Sequence, residues 1–187
     1  MRICATASVA GVESMAESVN ITVALGIRGF MSAPELEQLA TWALRYYDIL
    51  EIGSYMGRST RALADNTGGT VMAIDDFNGL RENTDNPPQE DIRGSFLRNL
   101  RDHILSGKVT PIEANHSTRL PIRCDMCFID GSHDYESVRR DIGNWSHAKL
   151  LCGHDFDSIH PDVMRAVDEL VPGYRVIPGT SLWWREL

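Results

Sequence analysis

The sequence predicts an α/β protein built on a seven-stranded, mostly parallel sheet, with helices on both faces and an antiparallel C-terminal strand pair. Three observations predict it. Five short apolar runs, DILEI, TVMAID, KVTPIEA, DMCFID and AKLLCGHD, alternate with stretches of helical periodicity. Near-continuous apolar runs of this length are what a strand buried on both faces looks like, and parallel strands are buried in that way. Two last runs, RVIP and SLWWREL, are separated only by Gly179-Thr180, so they form a hairpin and not another crossover.

Residues 1–25 show no clear period and are expected to form a loose N-terminal arm; residues 26–187 form a single domain. From Ser32, SAPELEQLATWAL combines an S-x-x-E capping box, Ser32 with Glu35, and an early proline, which marks a helix start. Leu36, Leu39, Ala40, Ala43 and Leu44 share one face of that helix. The strand DILEI follows, and a helix through RALADN stops at Gly68-Gly69. TVMAID is the second strand. Residues 77–91 are polar with a Pro-Pro pair, and a loop of this length in a compact domain is expected to be functional, here at the acceptor.

Ile92, Phe96, Leu97, Leu100 and Ile104 give a helix that ends at Gly107. KVTPIEA and DMCFID are strands three and four. Tyr135, Val138, Ile142 and Trp145 mark one face of the next helix, with Asp134 as its cap and Arg139, Arg140 and Asp141 as solvated or ion-paired positions. AKLLCGHD is strand five. Pro161 opens a helix through VMRAVDELV, which Pro172-Gly173 stops. Trp183 and Trp184 fall on opposite faces of the last strand, so one of them packs in the core.

A chain of 187 residues buries a core without staples. Its charge balance, 18 Lys and Arg against 26 Asp and Glu for a net −8, argues against a nucleic-acid partner, which needs a basic footprint. No apolar run reaches the roughly eighteen residues of a membrane span. The first residues are too weakly apolar for a signal peptide, so the expected location is cytoplasmic. Cys124 and Cys127 form a C-x-x-C with no second metal-ligand pair, and they are expected to be buried thiols.

The chemistry concentrates after the first strand, in DILEIGSYMGRST. A phosphate-binding P-loop needs G-x-x-x-x-G-K-[ST]; here Gly53 to Gly57 is one residue short, and Arg58 stands where the lysine belongs. The dinucleotide fingerprint G-x-G-x-x-G also fails on spacing. Glu51, Gly53 and Gly57 instead resemble the acid-x-Gly-x-Gly-x-Gly loop that holds S-adenosylmethionine (SAM) in class I methyltransferases. Tyr55 replaces the middle glycine, which excludes glycine-only backbone angles there. Asp75, closing TVMAID, is placed to accept bonds from the ribose hydroxyls.

Beyond the loop, FIDGSHDYESVRRDIGNW and LLCGHDFDSIHPDVMRAVDEL resemble class I SAM-dependent methyltransferases related to macrolide-sugar O-methyltransferases and cephalosporin-hydroxylase-like proteins. The resemblance runs over residues 27–187. It implies a Rossmann-like fold and O-methylation of a small polar hydroxyl acceptor, a sugar or diol. It further implies a cofactor site made of Glu51, Gly53, Ser54, Tyr55, Gly57, Ser59, Asp75, Asn115 and Asp130. Metal-dependent relatives hold Mg²⁺ or Mn²⁺ at these strand ends, which carries over as Asp130, His154 and Asp155.

An alcohol needs either a base or a cation to act as a nucleophile at neutral pH. The catalytic candidates are Asp130, His133 and His154. Magnesium prefers oxygen donors, so His154 sits uneasily in its shell. Either the aspartates alone bind metal and a histidine is the base, or no metal binds and Asp130 orients a histidine. A SAM- or nucleoside-binding protein without catalysis is the alternative, with a P-loop or dinucleotide enzyme behind it. The short chain also leaves room for a homodimer in which a second subunit completes the pocket.

Overall fold

The computed structural model describes residues 18–79, 91–114 and 121–187. Its sheet has seven strands: β1 (Asp48–Ile52), β2 (Thr70–Asp75), β3 (Val109–Glu113), β4 (Met126–Ile129), β5 (Leu150–Gly153), β6 (Arg175–Val176) and β7 (Trp183–Glu186). They lie in the order β3-β2-β1-β4-β5-β7-β6. The first five are parallel neighbours, and β7 pairs antiparallel with both β5 and β6. The predicted strand count and hairpin are therefore present. Spacing along the chain did not show that β7 lies between β5 and β6.

Residues of opposite parity feed opposite cores. Ile49, Met126, Phe128 and Leu150 pack on one side with α2 (Ala33–Ala43) and α3 (Arg58–Asn66). Leu50, Cys127, Ile129 and Leu151 pack on the other with α6 (Tyr135–Trp145) and α7 (Pro161–Leu170). Trp183 is fully buried in the second core, while Trp184 packs partly buried against the first. Cys124, Cys127 and Cys152 are buried free thiols.

The capping box forms as the sequence predicts, since Ser32 N–H and Oγ both donate to Glu35 Oε2 at 2.8 Å. Other expectations need correction. The described part of the N-terminal arm is ordered: α1 (Thr22–Gly26) buries Ala24, and Asn20 exchanges hydrogen bonds with Asn66. Five residues are too few for a period to stand out in sequence. The helix expected over 92–104 breaks at Leu100 into α4 (Ile92–Asn99) and α5 (Arg101–Leu105). Of the three helix positions expected to be solvated or ion-paired, Asp141 is fully buried, whereas Arg139 and Arg140 are exposed. Among the described residues, no helix is long and apolar enough to cross a membrane.

Candidate active site

A cavity of about 750 Å³ opens over the carboxyl ends of β1, β2, β4 and β5. This is where open α/β sheets bind ligands, and the volume is within the usual range for a small-molecule site. Neighbouring strands stand about 4.8 Å apart, so the cavity runs roughly 14 Å from the end of β2 to the end of β5. Six aspartates line it (Asp75, Asp76, Asp130, Asp134, Asp155 and Asp162), with Arg58 as the one lysine or arginine among its described lining residues. Such a wall suits a cationic ligand and repels a phosphate ester.

The glycine loop is built by backbone approach. Gly53 has φ +86°, and a Cβ there would fall 1.9 Å from the Asp130 carbonyl oxygen, so only glycine fits between β1 and β4. Gly57, also left-handed, begins α3 and would clash with Leu100 if it carried a side chain. Tyr55 takes φ +47°, a left-handed angle that a residue other than glycine can still adopt. A specific anchor explains this: Asp75 Oδ2 accepts the N–H groups of Ser54 and Tyr55, both at 2.7 Å, while Oδ1 accepts that of Phe77 at 2.6 Å. Burial raises the Asp75 pKa against the pull of those three donors.

Among the described residues, the non-glycine residues with positive φ are Tyr55, Phe77 and Asp155, and they stand in the loops after β1, β2 and β5. Backbone strain is thus concentrated around this cavity, as it is at functional sites generally.

Glu51 does not line the cavity. Its side chain is fully buried behind the loop, where Thr60 donates to Oε2 and Oε1 meets no hydrogen-bond partner among the described residues. Burial pushes its pKa up to about 7, against the pull of the Ser59 and Thr60 hydroxyls. Gly57 is likewise off the wall, whereas Gly53, Ser54, Tyr55, Ser59, Asp75 and Asp130 are on it. Asn115 lies outside the described residues, as does most of the expected acceptor loop. Arg58 donates to the carbonyls of Leu25 and Ile27, at 3.3 and 2.7 Å, and so fixes the segment that carries Phe30 over the cavity mouth.

At the far end, Asp155 divides its carboxylate between two histidines. Its Oδ2 is 2.9 Å from His133 Nε2, and its Oδ1 is 3.0 Å from His154 Nδ1. His154 Nδ1 is also 3.4 Å from Asp130, and its Nε2 is 3.2 Å from Glu35 Oε1. Burial alone would lower the His154 pKa, but Asp130, Asp155 and Glu35 outweigh it and hold the ring as an imidazolium well above its ordinary range. Burial works to raise Glu35 and Asp155 as well, yet the bonds to these histidines hold both carboxyls well below theirs. In Asp130 burial wins, and the pKa rises.

This bears on the expected roles of His154. Asp130, His154 and Asp155 do bring ligand atoms within 4.8 Å of one another. With carboxylates facing both nitrogens, His154 is favoured as an imidazolium, which must release a proton before it can ligate a metal or accept a substrate proton. Sequence reasoning missed Glu35 at the site, because a capping-box glutamate already has a local role. It also missed Asp76, Phe30 and His160, all of which line the cavity. His160 stacks on His133 with ring centroids 4.3 Å apart.

The comparisons with known proteins agree with this geometry. A sequence profile of the family described as a methyltransferase domain matches residues 50–150, more than half of the chain. A SAM-dependent O-methyltransferase from Thermotoga maritima superposes with a TM-score of 0.60 at 15% identity, covering 86% of this chain and 67% of that one. An O-methyltransferase from Bacillus cereus, in complex with S-adenosylhomocysteine (SAH), gives a TM-score of 0.60 at 14% identity, covering 88% and 86%. The glycine loop over Asp75, the acid-lined cavity at the strand ends and the profile match converge: this chain belongs to the methyltransferase-domain family and has the fold of these O-methyltransferases.

Proposed function

We propose that the chain transfers the SAM methyl group to a hydroxyl oxygen of a small polar acceptor, a sugar or diol being the class to which the sequence resemblance points. The observation that carries this reading is the His133–Asp155 pair, Nε2 to Oδ2 at 2.9 Å, on the wall opposite the Asp75-tethered loop. SAM lies with its nucleoside over β2, where Asp75 and Asp76 face the ribose, and its sulfonium towards β4. The acceptor enters under Phe30 and Ile159, both exposed at the mouth.

In the transfer, the acceptor oxygen attacks the methyl carbon in line with the C–S bond. The C–O bond forms as C–S breaks, the sulfonium becomes the neutral thioether of SAH, and the hydroxyl proton passes to His133. Asp155 holds that ring and stabilises its imidazolium. His154 does not exchange protons in this scheme. It is the fixed cation that keeps Asp130, Asp155 and Glu35 packed together. Most of the rate comes from holding the two reactants in line in a half-enclosed site. The scheme requires no metal on Asp130, His154 and Asp155.

Calorimetry with SAM and SAH, followed by transfer of labelled methyl from SAM across a panel of sugars, diols and catechols, tests the proposal. Micromolar binding of SAM or SAH, with label appearing on an alcohol oxygen, is the expected result. Binding without transfer to any hydroxyl, or transfer only to nitrogen or carbon acceptors, would overturn the O-methylation reading.

A further inference from the structure

We propose that His133, Asp155 and His160 form a binding site for a divalent first-row transition-metal ion, distinct from the Asp130–His154–Asp155 cluster beneath it. Three separate segments supply the donors. His133 comes from the loop between β4 and α6, Asp155 from the end of β5, and His160 from the N-cap of α7. One ligand atom from each lies within 4.8 Å of the other two. His133 Nε2 stands 2.9 Å from Asp155 Oδ2, and His160 Nδ1 stands 3.6 Å from Asp155 Oδ1.

Those separations fall on either side of the donor spacing in a coordination shell. With metal–nitrogen and metal–oxygen bonds of about 2.0–2.2 Å, neighbouring donors around a tetrahedral or octahedral ion stand roughly 3.0–3.5 Å apart. The rings of His133 and His160 are already 4.3 Å apart at their centroids, so small side-chain rotations bring both nitrogens onto one ion. The backbone holds the arrangement. Asp155 is fixed at φ +62°, and Asp157 Oδ1 accepts the N–H groups of Ile159 and His160 at 2.8 and 3.1 Å, shaping the turn that presents His160. Asp157 Oδ1 also lies 3.1 Å from His160 Nδ1, so an ion draws that nitrogen away from it.

The donor chemistry selects the ion. Two imidazoles and one carboxylate suit zinc, manganese, iron or cobalt, whereas magnesium favours oxygen ligands. All three residues are only partly exposed and line the cavity, so the remaining coordination positions face the bound small molecules. The lower cluster differs in kind, because it offers a single imidazole, with carboxylates facing both of its nitrogens.

The site itself does not depend on the methyl-transfer reading, but its consequence does. An ion on His133 Nε2 displaces the Nε2–H that Asp155 holds and leaves the ring proton on Nδ1, the nitrogen that otherwise accepts the acceptor's proton. Ion occupancy and base action therefore exclude each other, and the ion acts as an inhibitor.

The test uses the chelator-treated full chain, titrated with Co²⁺ by visible absorption and with Zn²⁺, Mn²⁺ and Mg²⁺ by calorimetry. The expected result is a Co²⁺ d–d spectrum and one-site binding of Zn²⁺ or Mn²⁺ that is at least tenfold tighter than that of Mg²⁺. His133→Ala and His160→Ala should each weaken it at least tenfold, while Asp130→Asn leaves it within about twofold. Unchanged thermal unfolding of His160→Ala shows that α7 is intact, and His160→Gln, which keeps a polar cap, should lose the ion equally. No spectrum or heat with the wild-type chain overturns the proposal. So does binding that survives His160→Ala, or that follows Asp130 instead. SAH calorimetry on the same preparation separates the two readings: ion binding without SAH binding leaves this site standing and removes the methyltransferase site.

Discussion

His154 Nε2 stands 3.2 Å from Glu35 Oε1, tying the end of β5 to the first turn of α2. The same Glu35 oxygen accepts the N–H and Oγ–H of Ser181 at 3.1 and 3.2 Å, while Oε2 closes the capping box with Ser32. One carboxylate therefore joins the sheet, the C-terminal hairpin and a helix start, and its counter-charge is a buried imidazolium. Removing a single member of such a cluster leaves the others uncompensated, which is far costlier than exchanging the whole cluster for apolar groups.

His154→Gln is therefore expected to destabilise the chain by about 3–5 kcal/mol, measured by urea denaturation at pH 7. The pH dependence should change too. Glu35 and Asp155 have depressed pKa values, so their stabilisation is present above the ordinary carboxylate range and lost as pH falls through it. Without the imidazolium both carboxyls move upward, and acid unfolding begins at higher pH in the variant. A variant as stable as the wild type would show that the cluster contributes nothing to the fold.

Glu51 carries the opposite sign. Its carboxyl is raised from 4.5 to about 7, so between those values the folded chain keeps a proton that the unfolded chain has released. Stability falls across that window by roughly 3 kcal/mol and stays lower at alkaline pH. Glu51→Gln keeps the shape without the proton, so it should remove this slope and exceed the wild type in stability at pH 8. Guanidinium unfolding of both proteins at pH 5 and pH 8 gives the comparison.

Asp75 anchors the cofactor loop through three backbone N–H groups. Charge-assisted bonds of this kind contribute about 1.5–3 kcal/mol each when lost. Asp75→Ala should weaken SAH binding by roughly 10- to 100-fold in calorimetry and lower the midpoint of thermal unfolding by roughly 10 °C or more. If SAH binds the variant as tightly as the wild type, the loop does not hold the cofactor.

His133→Ala should lower kcat by roughly 10²- to 10⁴-fold while SAH affinity stays within about twofold, because the residue acts on the acceptor's proton and not on the cofactor. Asp155→Asn should lower kcat in the same direction, since it removes the charge that stabilises the His133 imidazolium. A rate loss confined to KM would assign His133 to acceptor binding instead.

The sequence by itself determined the sheet, its helices and the chemical class of the ligand. Apolar period and glycine punctuation report burial within a few residues of chain, so DILEI, TVMAID and the Tyr135–Trp145 face are legible without coordinates. The acid before Gly53 and the missing lysine excluded phosphate, and the acid-lined cavity agrees. Only the tertiary structure decided which charges meet. Glu51 reads like a ligand contact but is fully buried behind the loop, because its place in the strand turns it towards α3. His160 is not among the candidates named from the sequence, yet the turn before α7 sets its ring against His133. Glu35 reads as a cap, yet strand order and the left-handed Asp155 bring His154 to its other oxygen. Such pairings depend on where crossovers return and on single backbone angles, and neither leaves a period in the sequence.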